Sequence, residues 1–259
     1  MGVIGLAVFF VLPLAGLLWR VPWSDVFSVL GQSSSRDALR LSLETTLAAT
    51  ALSVVFGVPL AWLLARMTFR GRGVLRALAL LPLVLPPVVG GVALFYAFGR
   101  RGLVGQWIER WFHFELPFSI WAVILAETFV AMPFLVITVE GALRGLDTRY
   151  EDAAAACGAG RWTVMRRVTL PMIGPSILAG MALTWARALG EFGATITFAG
   201  SFPGKTQTLP LAIYLAFENG DPAGIVLSLL LLVVSMTVLV LVGSRVIGER
   251  GRMTPSPSP

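Results

Sequence analysis

Arg187 and Glu191 are the residues whose type and spacing come closest to chemistry. They lie four apart inside an otherwise apolar stretch. On a helix that spacing places both on one face, about 6 Å apart along the axis. Thr184 and Thr195 extend the same stripe. A lone charge at the centre of a membrane helix costs roughly 2.5–3.5 kcal/mol, so this face is expected to look at a cavity or a subunit contact rather than lipid. Two roles fit the stripe. It lines a polar route, where a nearly neutral Arg/Glu pair suits passage better than capture, or it is an ion pair that only locks helix packing. Catalysis finds little support. There is one His, His113, and one Cys, Cys157, so neither a Cys/His metal site nor an internal disulfide is expected. No Ser/His/Asp or paired-carboxylate arrangement suggests hydrolysis. Ala199 to Thr206 fits a relaxed phosphate-loop pattern, but the mechanism needs a strand before it, and Pro210 follows too closely. Glu44 is expected to reach water at an outer edge, and Glu127 to be buried with no partner that can be named.

The second set lies in the polar, basic stretch 141–171. Glu151 and Asp152 open an Ala-rich run, Ala153 to Ala156, with acids in the first turn where the helix dipole favours them. Gly158 suits a left-handed cap. A second short amphipathic piece, Arg161 to Thr169, is expected before Leu170-Pro171.

The elements that must position these residues follow from composition. Of 259 residues, 56% are hydrophobic and 13% charged. A soluble domain of this size could not hide that much apolar surface. The chain reads as an all-α membrane protein with six crossings, roughly 2–19, 42–65, 77–98, 118–140, 175–199 and 223–244. The first is taken as a span rather than a cleaved leader. In the third, Leu81 to Pro87 carries three prolines followed by Gly90-Gly91, which predicts a kink or a bend that shapes a pathway. Residues 1–247 are expected to form one transmembrane domain, with 248–259 a disordered cytoplasmic tail. Gly141-x-x-x-Gly145 and Gly220-x-x-x-Gly224 are expected to be turns. Five tryptophans, Trp19, Trp23, Trp107, Trp111 and Trp121, flank spans as interfacial anchors do.

The net charge is +6, and 19 of the 20 basic residues are Arg. They fall between apolar runs, which points to membrane orientation rather than nucleic acid. With the N-terminus inside, the inner segments 66–76, 141–171 and the tail hold twelve basic residues and the outer segments seven. Both termini are therefore expected in the cytoplasm.

The loop pattern resembles the cytoplasmic signature of permease subunits of ABC importers: Glu-Ala-Ala, three residues, Gly, nine residues, Ile-x-Leu-Pro. Here it reads Asp152-Ala153-Ala154, Gly158, then Val168-Thr169-Leu170-Pro171, with both gaps matching and Asp and Val replacing Glu and Ile. The run Ala186 to Gly200 looks like the fifth-span signature of molybdate and sulfate permeases. Pro203 to Tyr214 is closer to the molybdate branch.

The resemblance implies a type I importer permease fold of six transmembrane helices that works with partners: a second copy as homodimer, cytoplasmic ATPase subunits and an extracytoplasmic molybdate-binding protein. It implies that Glu151, Asp152, Ala153, Ala154, Gly158, Val168, Leu170 and Pro171 couple to the ATPase. ATP and Mg would be bound by that partner, so no cofactor is expected in this chain. A sulfate, thiosulfate or tungstate permease of the same architecture is the nearest alternative. An intramembrane enzyme and a channel or scaffold without an ATPase are the other two.

Overall fold

The computed structural model describes residues 2–250, and every regular element among them is helical. In chain order these are α1 (Gly2–Arg20), α2 (Val26–Gly31), α3 (Ser33–Arg66), α4 (Arg72–Leu80), α5 (Pro87–Phe98), α6 (Gly105–Phe112), α7 (Ile120–Gly145), α8 (Arg149–Ala156), α9 (Arg161–Val164), α10 (Leu170–Leu189), α11 (Gly193–Phe198), α12 (Leu209–Glu218) and α13 (Ala223–Arg250). Of the expected tail 248–259, residues 248–250 continue α13, and 251–259 lie outside the described residues.

Lipid inverts the usual sorting of side chains. The buried face of α3 carries Ala38, Ser42, Thr45, Ala49, Ser53, Gly57 and Ala61, while Leu47, Val55 and Phe56 face outward. Hydrocarbon solvates a leucine well, so there is no reason to hide it. Small residues let helix backbones approach instead. Spare hydroxyls fold back on their own helix, as Thr50 Oγ1 does onto Thr46 O at 2.7 Å and Ser53 Oγ onto Ala49 O at 2.7 Å. Along this face α3 packs on α7, and α10 packs across both. The contact is sealed by Leu64, Leu135, Val139, Leu143 and Ile173.

Among the described residues three helices are long and apolar enough to cross a membrane alone: Ser33–Arg66, Ile120–Gly145 and the continuous run Arg161–Leu189. Two of the six expected crossings are corrected. The third stretch is not one straight helix: its halves, Arg72–Leu83 and Pro87–Phe98, meet at 117°, a broken span or a re-entrant loop with the bend its prolines predict. Pro86 cannot continue a helix, whereas Pro87 sits at the start of α5, where its missing N–H is no loss. The bend is held by close packing on α11. A Cβ on Gly91 would overlap Thr197 Oγ1 and come within 2.6 Å of Ala194 O, and one on Gly193 would come within 2.8 Å of the Pro87 ring. The fifth stretch begins earlier than expected and ends at Leu189, with Gly190 closing α10 and α11 following as a separate short helix.

The piece Arg161 to Thr169 is also not separate. It runs through α9 and a five-residue π turn, Met165–Thr169, straight into α10. The ring of Pro171 would strike the carbonyl of Arg167 in a regular helix, and the wider turn relieves that clash. Gly141 and Gly145 lie within the last turns of α7 rather than in a turn, while Gly220, at φ 68°, does form the turn between α12 and α13.

Candidate coupling loop and translocation stripe

At one end of the bundle α8 packs on α9 and the π turn, leaving most of its surface exposed. Its C-terminus is closed by two bonds, Gly158 N to Ala155 O at 2.9 Å and Ala159 N to Ala154 O at 3.1 Å, with Gly158 at φ +83°. This is the Schellman arrangement, which favours glycine at that position. Asp152, Ala153, Ala155, Ala156 and Gly158 are exposed, with Tyr150 beside them. Ala154, Val168 and Leu170 are half-buried, and Pro171 is exposed. The motif residues thus divide into a small-residue outer face on α8 and a packed inner shoulder at the π turn.

Glu151 belongs to neither group. Its Oε1 accepts from Arg66 Nη2 at 3.2 Å and from Thr169 Oγ1 at 2.7 Å. One carboxylate oxygen therefore joins α8, the end of α3 and the π turn below α10. A second knot lies beside it. Buried Glu140 on α7 pairs with Arg76 of α4 at 3.2 Å and with Arg144 at 2.8 Å. Arg144 and Arg72 both donate to Leu64 O, covering one open carbonyl in the last turn of α3. Neither Arg66 nor the Glu140 knot was marked by the sequence. Their only signal was a charge at the edge of an apolar run.

The stripe differs from the one-face helix expected. Arg187 is in the last turn of α10, and Glu191 lies past the helix end. The pair still forms, with Arg187 Nη2 2.6 Å from Glu191 Oε2, and it bridges the break between α10 and α11. Glu191 Oε1 also accepts from Ala194 N at 2.8 Å, satisfying a free amide in the first turn of α11. Thr184, Glu191 and Thr195 are buried within the chain, whereas the Arg187 side chain is 27% exposed. Arg187 is thus the member of the stripe that reaches the outside of the subunit. Glu127 is buried, and Thr45 Oγ1 donates to it at 2.9 Å. Glu44 is exposed and pairs with Arg40 at 2.6 Å.

The phosphate-loop look-alike follows a helix, α11, and ends in a turn held by Thr206, with no strand before it. His113 takes a left-handed conformation, φ 53°, as it closes α6.

Residues 57–250 match the family model described as binding-protein-dependent transport system inner membrane component. A molybdenum transport system permease protein of Mycobacterium tuberculosis is 51% identical over 240 residues, covering 92% of this chain and 90% of that protein. The molybdenum transport system permease protein of Escherichia coli is 41% identical over 207 residues, 78% of this chain and 90% of that one. Among solved structures, a bacterial ABC transporter involved in import of the acidic polysaccharide alginate superposes with a TM-score of 0.71 at 19% identity, over 98% of this chain and 93% of that one. The fold, the exposed Ala-faced loop helix and these likenesses agree: the chain belongs to the family of inner membrane components of binding-protein-dependent transport systems, the permease subunits of type I ABC importers.

Proposed function

We propose that this chain carries molybdate across the plasma membrane, as one of two identical copies that line a shared path. Both termini face the cytoplasm. The loop 141–171 then lies on the cytoplasmic side, where each copy seats α8 in a groove of an ATPase subunit. That subunit binds ATP and Mg. A molybdate-binding protein delivers cargo to the opposite face. The observation that carries the coupling role is α8 itself: a short helix with an exposed face of small side chains, closed by Gly158 and tied back through one carboxylate. Small side chains permit close seating, and the tie converts a push on α8 into a push on α3 and α10. The cargo is supported by the likeness to the two molybdenum permeases. No residue here distinguishes two tetrahedral dianions by its own chemistry.

The cargo is tested by uptake of labelled molybdate in cells whose own transporter is deleted and replaced by this system. Excess tungstate and molybdate are expected to compete strongly, and sulfate weakly. Uptake of sulfate with no inhibition by molybdate overturns the assignment in favour of a sulfate permease of the same architecture.

The tie has its own test. Glu151→Gln keeps the size of the side chain and removes its charge. Hydrogen bonds to charged groups are worth about 1.5–3 kcal/mol, so uptake is expected to fall roughly tenfold or more. ATP hydrolysis by the assembled transporter is expected to persist. Parallel loss of both would show that Glu151 holds the ATPase on, rather than passing its motion inward.

A further inference from the structure

We propose that the groove between α3 and the α9–α10 run holds an acyl chain of an anionic phospholipid, with Arg161 gripping its phosphate. The groove encloses about 550 Å³, within the roughly 300–1,000 Å³ of small-molecule sites. Its walls are Val58 and Trp62 of α3, Leu143 of α7, and Leu170 and Ile173 of α10. Arg161 is the one charged residue in that lining, and among the described residues it makes no ion pair or side-chain hydrogen bond. Arg166 and Arg167 follow on the π turn, exposed and likewise without a partner among the described residues.

The geometry selects the occupant. Trp62 lies one turn before the end of α3, and Trp162 is 73% exposed beside Arg161, so indoles mark the groove as sitting at a membrane boundary. An extended protein segment entering it would bring unpaired backbone N–H and C=O groups to walls that offer them nothing. A hydrocarbon tail has no such demand. The three arginines then supply the positive field that favours an anionic headgroup over a zwitterionic one, as basic pockets between membrane helices do. The orientation proposed above decides only which leaflet supplies the lipid.

The test uses the complete transporter in nanodiscs of equal phosphatidylglycerol and phosphatidylcholine, followed by native mass spectrometry. Phosphatidylglycerol is expected to stay bound to the permease. Arg161→Gln should reduce its retention about fivefold, the worth of one basic residue at an anionic surface. Arg161→Lys should keep most of it, and Arg70→Gln, outside the groove, should leave it unchanged. A photo-crosslinker placed at Trp62 should label lipid. Equal retention in Arg161→Gln, no selective retention in the parent, or labelling of a protein subunit at Trp62 overturns the proposal.

Discussion

Gly158→Asp is expected to abolish ATP-driven uptake while leaving the subunit inserted at normal levels. The position is left-handed at φ +83°, and beyond its own chain neighbours nothing lies within 4 Å of the place a Cβ would occupy. Inside this chain the substitution therefore meets only backbone strain, of order 1–2 kcal/mol, and Asp tolerates that conformation better than most residues. The large effect comes from outside. A carboxylate would stand on the surface proposed to meet the ATPase, past the C-terminal end of α8, and would be desolvated without a partner when the two close. Gly158→Ala adds the strain without the charge and should give a partial loss. Membrane abundance by immunoblot and uptake of labelled molybdate, measured together, separate the two effects. Normal transport in Gly158→Asp would remove the coupling role from this loop.

Arg187→Gln is the second change with a large expected effect. It leaves the Glu191 carboxylate 1% exposed, with Ala194 N as its remaining partner. Breaking a buried pair from one side costs about 3–5 kcal/mol, and the part exposure of Arg187 lowers that toward about 2 kcal/mol. Folded protein recovered in detergent should drop steeply. Arg187→Gln combined with Glu191→Gln removes both charges and keeps an oxygen for the Ala194 amide, so its yield should return close to that of the parent. Transport by the double variant then decides the role of the pair. More than tenfold loss of uptake at normal abundance means that the charges serve the moving anion. Full recovery of uptake means that they only fasten α11 to α10, and Arg187 leaves the path.

The parts of this molecule readable from sequence were those set by local chemistry. Gly158 announces a capped helix end, and it is found there, whereas Pro171, read as the start of a new helix, lies inside one continuous run and marks only its π turn. The three prolines announced a bend, but not its 117°, which depends on Gly91 and Gly193 meeting across two helices. The Arg187/Glu191 pair was legible as a pair. Its geometry was not, because Gly190 inside an apolar run reads as one more small membrane residue rather than as a helix end. The tie through Glu151 joins it to Arg66, 85 positions earlier, and no local pattern carries a contact of that separation. Thr45 as the partner of Glu127 was hidden for the same reason, 82 positions apart.

The unbroken helix from Arg161 to Leu189 has a mechanical corollary. At 1.5 Å per residue, its 29 residues make a stiff beam about 43 Å long. The Glu151 tie grips it at Thr169, about 12 Å from its Arg161 end, and Arg187 rides near the other end. Swivelled by about 5° at its base, such a beam sweeps its tip sideways by roughly 3–4 Å. A small rotation delivered by a motor on one side of the bilayer would thus arrive, magnified, as a displacement comparable to the width of a water molecule on the far side.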